Sequence, residues 1–114
     1  MALSKDQLLA VDDRVVERVD TPEWGEGAHV FVRSMSAAEG LALGESLKSG
    51  GDDVRASLVA QFAAFCCDET GNAIFENAEA AKPMLDKNRA AFHRVVKEGL
   101  KLNKFGIAEE KAKS

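Results

Sequence analysis

The residues that could do chemistry in this chain are two histidines, two adjacent cysteines and an acidic turn. His29 and His93 are the only histidines, and neither has an acid at a spacing that fixes a catalytic triad or a pair of metal ligands. We expect His29 to lie on a strand in a polar environment and His93 to lie on the surface of a helix. The pattern therefore favours structural roles for both.

The two cysteines, Cys66 and Cys67, lie next to each other at the end of an apolar segment. A disulfide between neighbouring residues is strained, and a zinc site needs further ligands that the sequence does not offer at suitable spacing. We therefore predict two free thiols in or near the core. Such thiols are typical of a reducing compartment.

The acidic run from Asp68 to Asn72 has some features of a calcium-binding loop. Its glycine, Gly71, comes at the fourth position rather than the sixth, and the ligands expected between Asp68 and Glu79 are missing. A turn followed by a short extended segment from Ala73 is the better prediction. No glycine-rich loop follows a strand to hold phosphate, and no carboxylate pair stands out. The sequence therefore predicts protein binding rather than catalysis, with no cofactor or metal.

Composition and charge argue against several other classes of function. The 114 residues are 46% hydrophobic and 30% charged, which is typical of one small soluble domain. The net charge is -4, so binding of nucleic acid has no overall electrostatic support. No stretch approaches the roughly 20 apolar residues of a membrane span, and the N-terminus lacks the pattern of a secretory signal. We expect a cytoplasmic protein with no membrane or nucleic-acid partner.

The elements that position these residues begin with a predicted β-hairpin. Arg14 to Asp20 alternates apolar and charged residues, and Ala28 to Arg33 is rich in β-branched and aromatic residues. Thr21 to Gly27 joins them, and its Pro22 and two glycines suit a connection of several residues. The only tryptophan, Trp24, lies in this connection as either a buried anchor or a contact for a partner. The anchor is favoured because large apolar rings are more often part of a core.

Two capping boxes begin helices on either side of the hairpin. Ser4 with Gln7 begins a short N-terminal helix, which either packs on the domain or remains mobile. Ser36 with Glu39 begins a second helix, which ends where residues 50–53 form a Gly-Gly-Asp-Asp loop.

A central helix is predicted from Val54 to Cys67, because its apolar residues recur at steps of three and four. Asp53 is the expected cap of this helix. Asn77 is expected to cap a short helix, and Pro83 to begin or kink the next stretch. The buried face of the last helical segment is expected to combine Leu85, Phe92, Val96 and Gly99.

These elements predict an α+β, helix-dominated small domain with one β-hairpin packed on three or four helices. The domain is expected to span residues 1–107, with a stop from Asn103 to Ile107 in which Phe105 and Ile107 fold back. Residues 108–114 have no apolar stripe and are expected to form a charged, solvated tail.

The order of these parts resembles the tail assembly chaperones of long-tailed bacteriophages. The resemblance spans roughly residues 3 to 105. It rests on the Pro22-Glu23-Trp24-Gly25 turn, on Val30 to Arg33 running into Ser36 to Glu39, and on the turn Asp68-Glu69-x-Gly71-x-x-x-Phe75. The adjacent cysteines and the loop at residues 50–53 depart from the family pattern.

The resemblance implies a non-enzymatic protein that binds the tape measure protein, a long and largely helical chain. Members keep this client soluble, help recruit tail tube subunits, and leave the finished particle, so their place is the cytoplasm of the host cell. Many are also made in a longer form by ribosomal frameshifting. The alternative is a structural virion component, such as a head-tail connector or a minor tail protein.

A chaperone of this kind needs an accessible apolar groove or patch on an acidic body. We expect part of the hairpin and the second helix to provide it, although each candidate residue could instead belong to the core. Self-association is a further expectation, since exposed hairpin edges and apolar helix faces favour it. The candidate contact residues are Trp24, Phe31, Leu41, Leu43 and Leu47.

Overall fold

The structure is a computed structural model that describes residues 1–103 of the chain. Its helices are α1 (Lys5–Ala10), α2 (Ala37–Ser49), α3 (Val54–Phe65), α4 (Ala78–Ala81) and α5 (Arg89–Leu102), and its strands are β1 (Val16–Asp20), β2 (His29–Arg33) and β3 (Cys66–Cys67). Two short 3-10 helices span Pro22–Trp24 and Lys82–Asp86. The predicted α+β, helix-dominated fold is confirmed. The expected fold-back at Phe105 and Ile107 and the charged tail at 108–114 lie outside the described residues.

The predicted hairpin is confirmed with its connection. β1 and β2 pair antiparallel, with Val16 opposite Arg33 and Asp20 opposite His29. In the connection, Gly25 has a φ of 143° and Gly27 a φ of 74°, both in the region that favours glycine. The turn therefore depends on the two glycines that the sequence places there.

The chain departs from its predicted course at the two cysteines. α3 ends at Phe65, and β3 pairs antiparallel with Phe31 and Val32 of β2, giving a sheet in the order β1-β2-β3. The prediction of helix through Cys67 is therefore wrong at its last two residues. Apolar periodicity could not show this, because both cysteines are buried and short buried runs fit helix and strand equally. Both thiols are free and buried, as predicted.

The core lies where the sheet, α3 and α5 meet. The rings of Phe62 in α3 and Phe92 in α5 stack with centroids 4.7 Å apart. α5 approaches α3 closely at Gly99, because a Cβ there would lie 2.8 Å from the Cβ of Phe65 and closer still to its ring. The sheet contributes apolar side chains from each strand, namely Val19, Val32 and Cys66.

The predicted buried face of the last helix is right for Phe92, Val96 and Gly99 but wrong for Leu85. Leu85 is 41% exposed and lies in the 3-10 helix that precedes α5. The two segments are separate because the side chain of Asn88 caps α5 by accepting a hydrogen bond from the amide of Ala91.

The N-terminal helix α1 has its predicted capping box, but none of its residues is buried. Leu8 is 59% exposed and Leu9 is 77% exposed. Over residues 1–103, the helices are all too short or too polar to span a bilayer.

Candidate protein-binding groove

The candidate contact residue of the hairpin connection, Trp24, lies against the core. Its ring meets that of Phe62 edge-on, with centroids 6.4 Å apart, and the side chain is half-buried. Phe31 lies on the other face of the sheet, because Val30 and Val32 on either side of it pack toward the core. Its ring is half-buried and contacts His29 edge-on at 5.4 Å. The two aromatic candidates therefore face opposite sides of the sheet.

The three leucine candidates on α2 also lie in different environments. Leu43 is buried, with 5% of its surface exposed, and Leu47 is half-buried against the same core. Leu41 is 72% exposed. The structure therefore gives Leu41 the most accessible surface of the five candidates, while the function of all five stays a prediction.

A groove lies between α2 and residues 73–85, and α3 forms its floor. It consists of two adjoining cavities of about 250 and about 810 Å³. Four residues line both cavities and make them continuous: Ala42, Ser46, Ala60 and Ala78. Of the five candidates, Leu43 alone is among the lining residues.

Small apolar side chains form much of the groove. On the floor, they recur along one face of α3 at Ala56, Ala60, Ala63 and Ala64. Ala42 on α2, with Ala73 and Ala78 opposite, extends this surface up both walls. The spacing of the α3 alanines was a sequence signal for this site, whereas the prediction relied on large apolar residues and named the hairpin and α2.

An ion cluster closes the end of the groove near the start of α2. Glu39 accepts two hydrogen bonds from the guanidinium of Arg14, at 2.7 and 3.1 Å, and lies 3.2 Å from a guanidinium nitrogen of Arg33. Hydrogen bonding from Arg14 lowers the pKa of Glu39 to about 2. Arg33 is 9% exposed and also donates to the carbonyls of Ala64 and Gly71. The cluster therefore ties the first turn of α2 to the sheet and to α3.

Carboxylates outnumber cations along the groove. The charged lining residues are Glu39, Glu45, Asp53, Glu76 and Glu79 against Arg33, Arg55 and Lys82. Glu79 pairs with Lys82 at 2.9 Å. Glu45 and Glu76, from opposite sides, have no ion pair within residues 1–103. The groove thus combines an apolar floor with a net negative rim, which suits an apolar segment that carries basic residues.

The fold is similar to that of a solved protein, the bacteriophage HK97 tail assembly chaperone, with a TM-score of 0.58 and 25% sequence identity. The similarity covers 85% of this chain and 90% of the HK97 chain. No protein-family model and no curated protein matches the sequence. The resemblance to the tail assembly chaperones of bacteriophages, inferred from two turns and the order of the elements, is therefore confirmed by the fold.

Proposed function

We propose that this chain is a bacteriophage tail assembly chaperone that binds the tape measure protein, keeps it soluble and helps recruit tail tube subunits. The observation that supports this most is the fold shared with the HK97 tail assembly chaperone over 85% of the chain. The role is non-enzymatic, and its place is the cytoplasm of the infected host. The partners are the tape measure protein and the tail tube protein.

The groove gives this proposal a physical basis. A long helical client exposes apolar faces that would otherwise associate, and an open groove on an acidic body can cover one such face at a time. Several copies along one client would together provide strong binding from individually weak contacts. Such a chaperone needs no buried catalytic group.

The test is coexpression with the tape measure protein of the same phage. We expect the client to be largely insoluble alone, and to be soluble and copurify with this chain when both are made. A tape measure protein that stays insoluble at matched expression levels would overturn the proposal.

Mass spectrometry of purified virions tests the alternative of a structural virion component. A chaperone leaves the finished particle, so we expect no stoichiometric amount of this chain. Its presence in fixed ratio to the tail tube protein would favour a connector or minor tail protein.

A further inference from the structure

The sides of the groove favour a helical occupant over an extended one. α3 forms the floor and α2 one wall, and the backbone groups within these helices are hydrogen-bonded inside them. No residue of β1, the long edge strand of the sheet, lines the groove. An extended peptide would find few backbone partners on the floor or on α2, whereas an α-helix pairs its own N–H and C=O groups.

The alanine lining indicates which side chains that helix presents. Ala56, Ala60 and Ala64 on the floor leave space above them, and the wider cavity has about 810 Å³. Close packing requires that large groups from the occupant fill this space. A helix with leucine, methionine or phenylalanine at positions three and four apart has that shape.

The charges of the rim indicate what flanks the apolar face. Glu45 on α2 and Glu76 on the opposite side are exposed and have no ion pair within the described part of the chain. A helix that carries lysine or arginine on both sides of its apolar face would form ion pairs with these two carboxylates.

The helix α1 of a second copy does not meet this requirement. It exposes Leu8 and Leu9, but Asp6 lies within it and Asp12 and Asp13 follow, against the single cation Lys5. Its acidic surroundings would repel the acidic rim, so charge disfavours α1 of a second copy as the occupant.

We propose that the groove binds one amphipathic α-helix of the client, with large apolar side chains facing the α3 alanines and basic side chains facing Glu45 and Glu76. This inference rests on the proposed function for the identity of the client. The recognition itself depends only on the shape and charge of the groove.

The test uses the full-length protein and two fluorescent designed peptides. Both form an amphipathic helix with a leucine face, flanked by lysine in one peptide and by glutamate in the other. We expect the lysine-flanked helix to bind at least about tenfold more tightly at low salt. Its affinity should fall as the salt rises from about 50 to about 500 mM. Equal affinity for both peptides would overturn the inference.

Two variants of α2 localise the binding. Ala42→Phe fills the groove, and Ala38→Phe places the same ring at an exposed position of the same helix outside the groove lining. We expect about tenfold weaker peptide binding for Ala42→Phe and unchanged binding for Ala38→Phe. Thermal unfolding of each variant confirms that the fold is kept. Equal binding by the two variants would overturn the inference.

Charge reversal provides a second test that does not depend on filling the groove. The double variant Glu45→Lys with Glu76→Lys should prefer the glutamate-flanked peptide. If the double variant still preferred the lysine-flanked peptide, the proposed role of these two carboxylates would be contradicted.

Coexpression separates this inference from the proposed function. If Ala42→Phe keeps the tape measure protein as soluble as the wild-type chain does, the function stands and the groove inference fails. If the wild-type chain leaves the client insoluble but binds the lysine-flanked peptide in an Ala42-dependent way, the function fails and the recognition chemistry stands. A dimer that forms in the wild type and is lost in Ala42→Phe would assign the groove to a second copy and overturn the inference.

Discussion

Arg94 in α5 forms a bidentate ion pair with Glu23 in the hairpin connection, with N–O distances of 2.8 and 2.6 Å. The same guanidinium donates to the carbonyl of Asp20 at 3.0 Å. Trp24 follows Glu23 directly and packs against Phe62. The pair therefore holds the connection on α5 and places the tryptophan ring over the core.

Acid should weaken the fold through Glu23 and Glu39. Hydrogen bonds from Arg94 and Arg14, respectively, lower the pKa of each carboxyl from 4.5 to about 2. A carboxyl with a lowered folded-state pKa stabilises the fold above its ordinary pKa and loses that contribution as the pH falls through the folded-state pKa. We expect the melting temperature to be level above about pH 5 and to fall between about pH 4.5 and 2.

The control for this pH dependence is the variant Glu23→Gln with Glu39→Gln. Without the two carboxylates, its melting temperature should be lower near neutral pH and should fall less steeply in acid. Identical slopes for the variant and the wild type would show that other groups control acid stability.

Gly99→Ala should destabilise the protein. The added Cβ would clash with the ring of Phe65, and overpacking of this kind costs about 1–3 kcal/mol of unfolding free energy. Gly44→Ala in α2 is the matched control, because nothing lies within 4 Å of a Cβ built there. The control should gain about 0.5–1 kcal/mol, since alanine favours helix over glycine. Urea unfolding measures the unfolding free energy of both variants. A Gly99→Ala variant as stable as the wild type would contradict the close approach of α5 to α3.

Trp24→Ala and Leu41→Ala should show which of these two candidate contact residues anchors the fold and which is merely exposed. Loss of the half-buried indole should cost about 3 kcal/mol of unfolding free energy. Leu41 is 72% exposed, so its truncation should change stability by less than about 0.5 kcal/mol. Similar losses of unfolding free energy in the two variants, measured by chemical denaturation, would contradict these placements. Because we expect Leu41→Ala to keep the fold, its effect on client solubility tests Leu41 as a contact residue.

Cys66 and Cys67 should both resist thiol reagents in the native protein. Burial raises the pKa of the Cys66 thiol to about 12 and raises that of Cys67, so little thiolate is present at pH 8. We expect slow labelling by a chromogenic disulfide reagent at pH 8, and rapid labelling of both thiols after unfolding in urea. Rapid labelling of the native protein would show that this part of the sheet opens readily.

Features that depend on a few neighbouring residues could be predicted from the sequence. The capping boxes at Ser4 and Ser36 and the helix cap at Asp53 are confirmed, because each needs only a side chain and amides two or three residues away. The hairpin is confirmed for a similar reason, since alternation and the glycines of its connection specify it locally.

Features that depend on distant contacts could not be predicted in this way. Pairing of Cys66–Cys67 with β2 joins residues far apart in the chain, and helical spacing continues into this strand without a break. The groove likewise forms only where α2, α3 and residues 73–85 come together in the fold. In the sequence, the α3 alanines are recognisable only as small residues of a buried stripe. Arg33 gave no local sign of its burial, because its partners Ala64 and Gly71 lie 31 and 38 residues away.

The helix α2 is attached unevenly. The ion cluster of Glu39 fixes its first turn, Leu43 is its only buried residue, and Leu47 packs half-buried against the core, so its attachment weakens only toward the exposed Lys48 and Ser49. We expect the end of this wall to open locally more readily than its first turn, without exposing the core. If the groove binds a helix as proposed, a wall with one loose end would accommodate helices of unequal width.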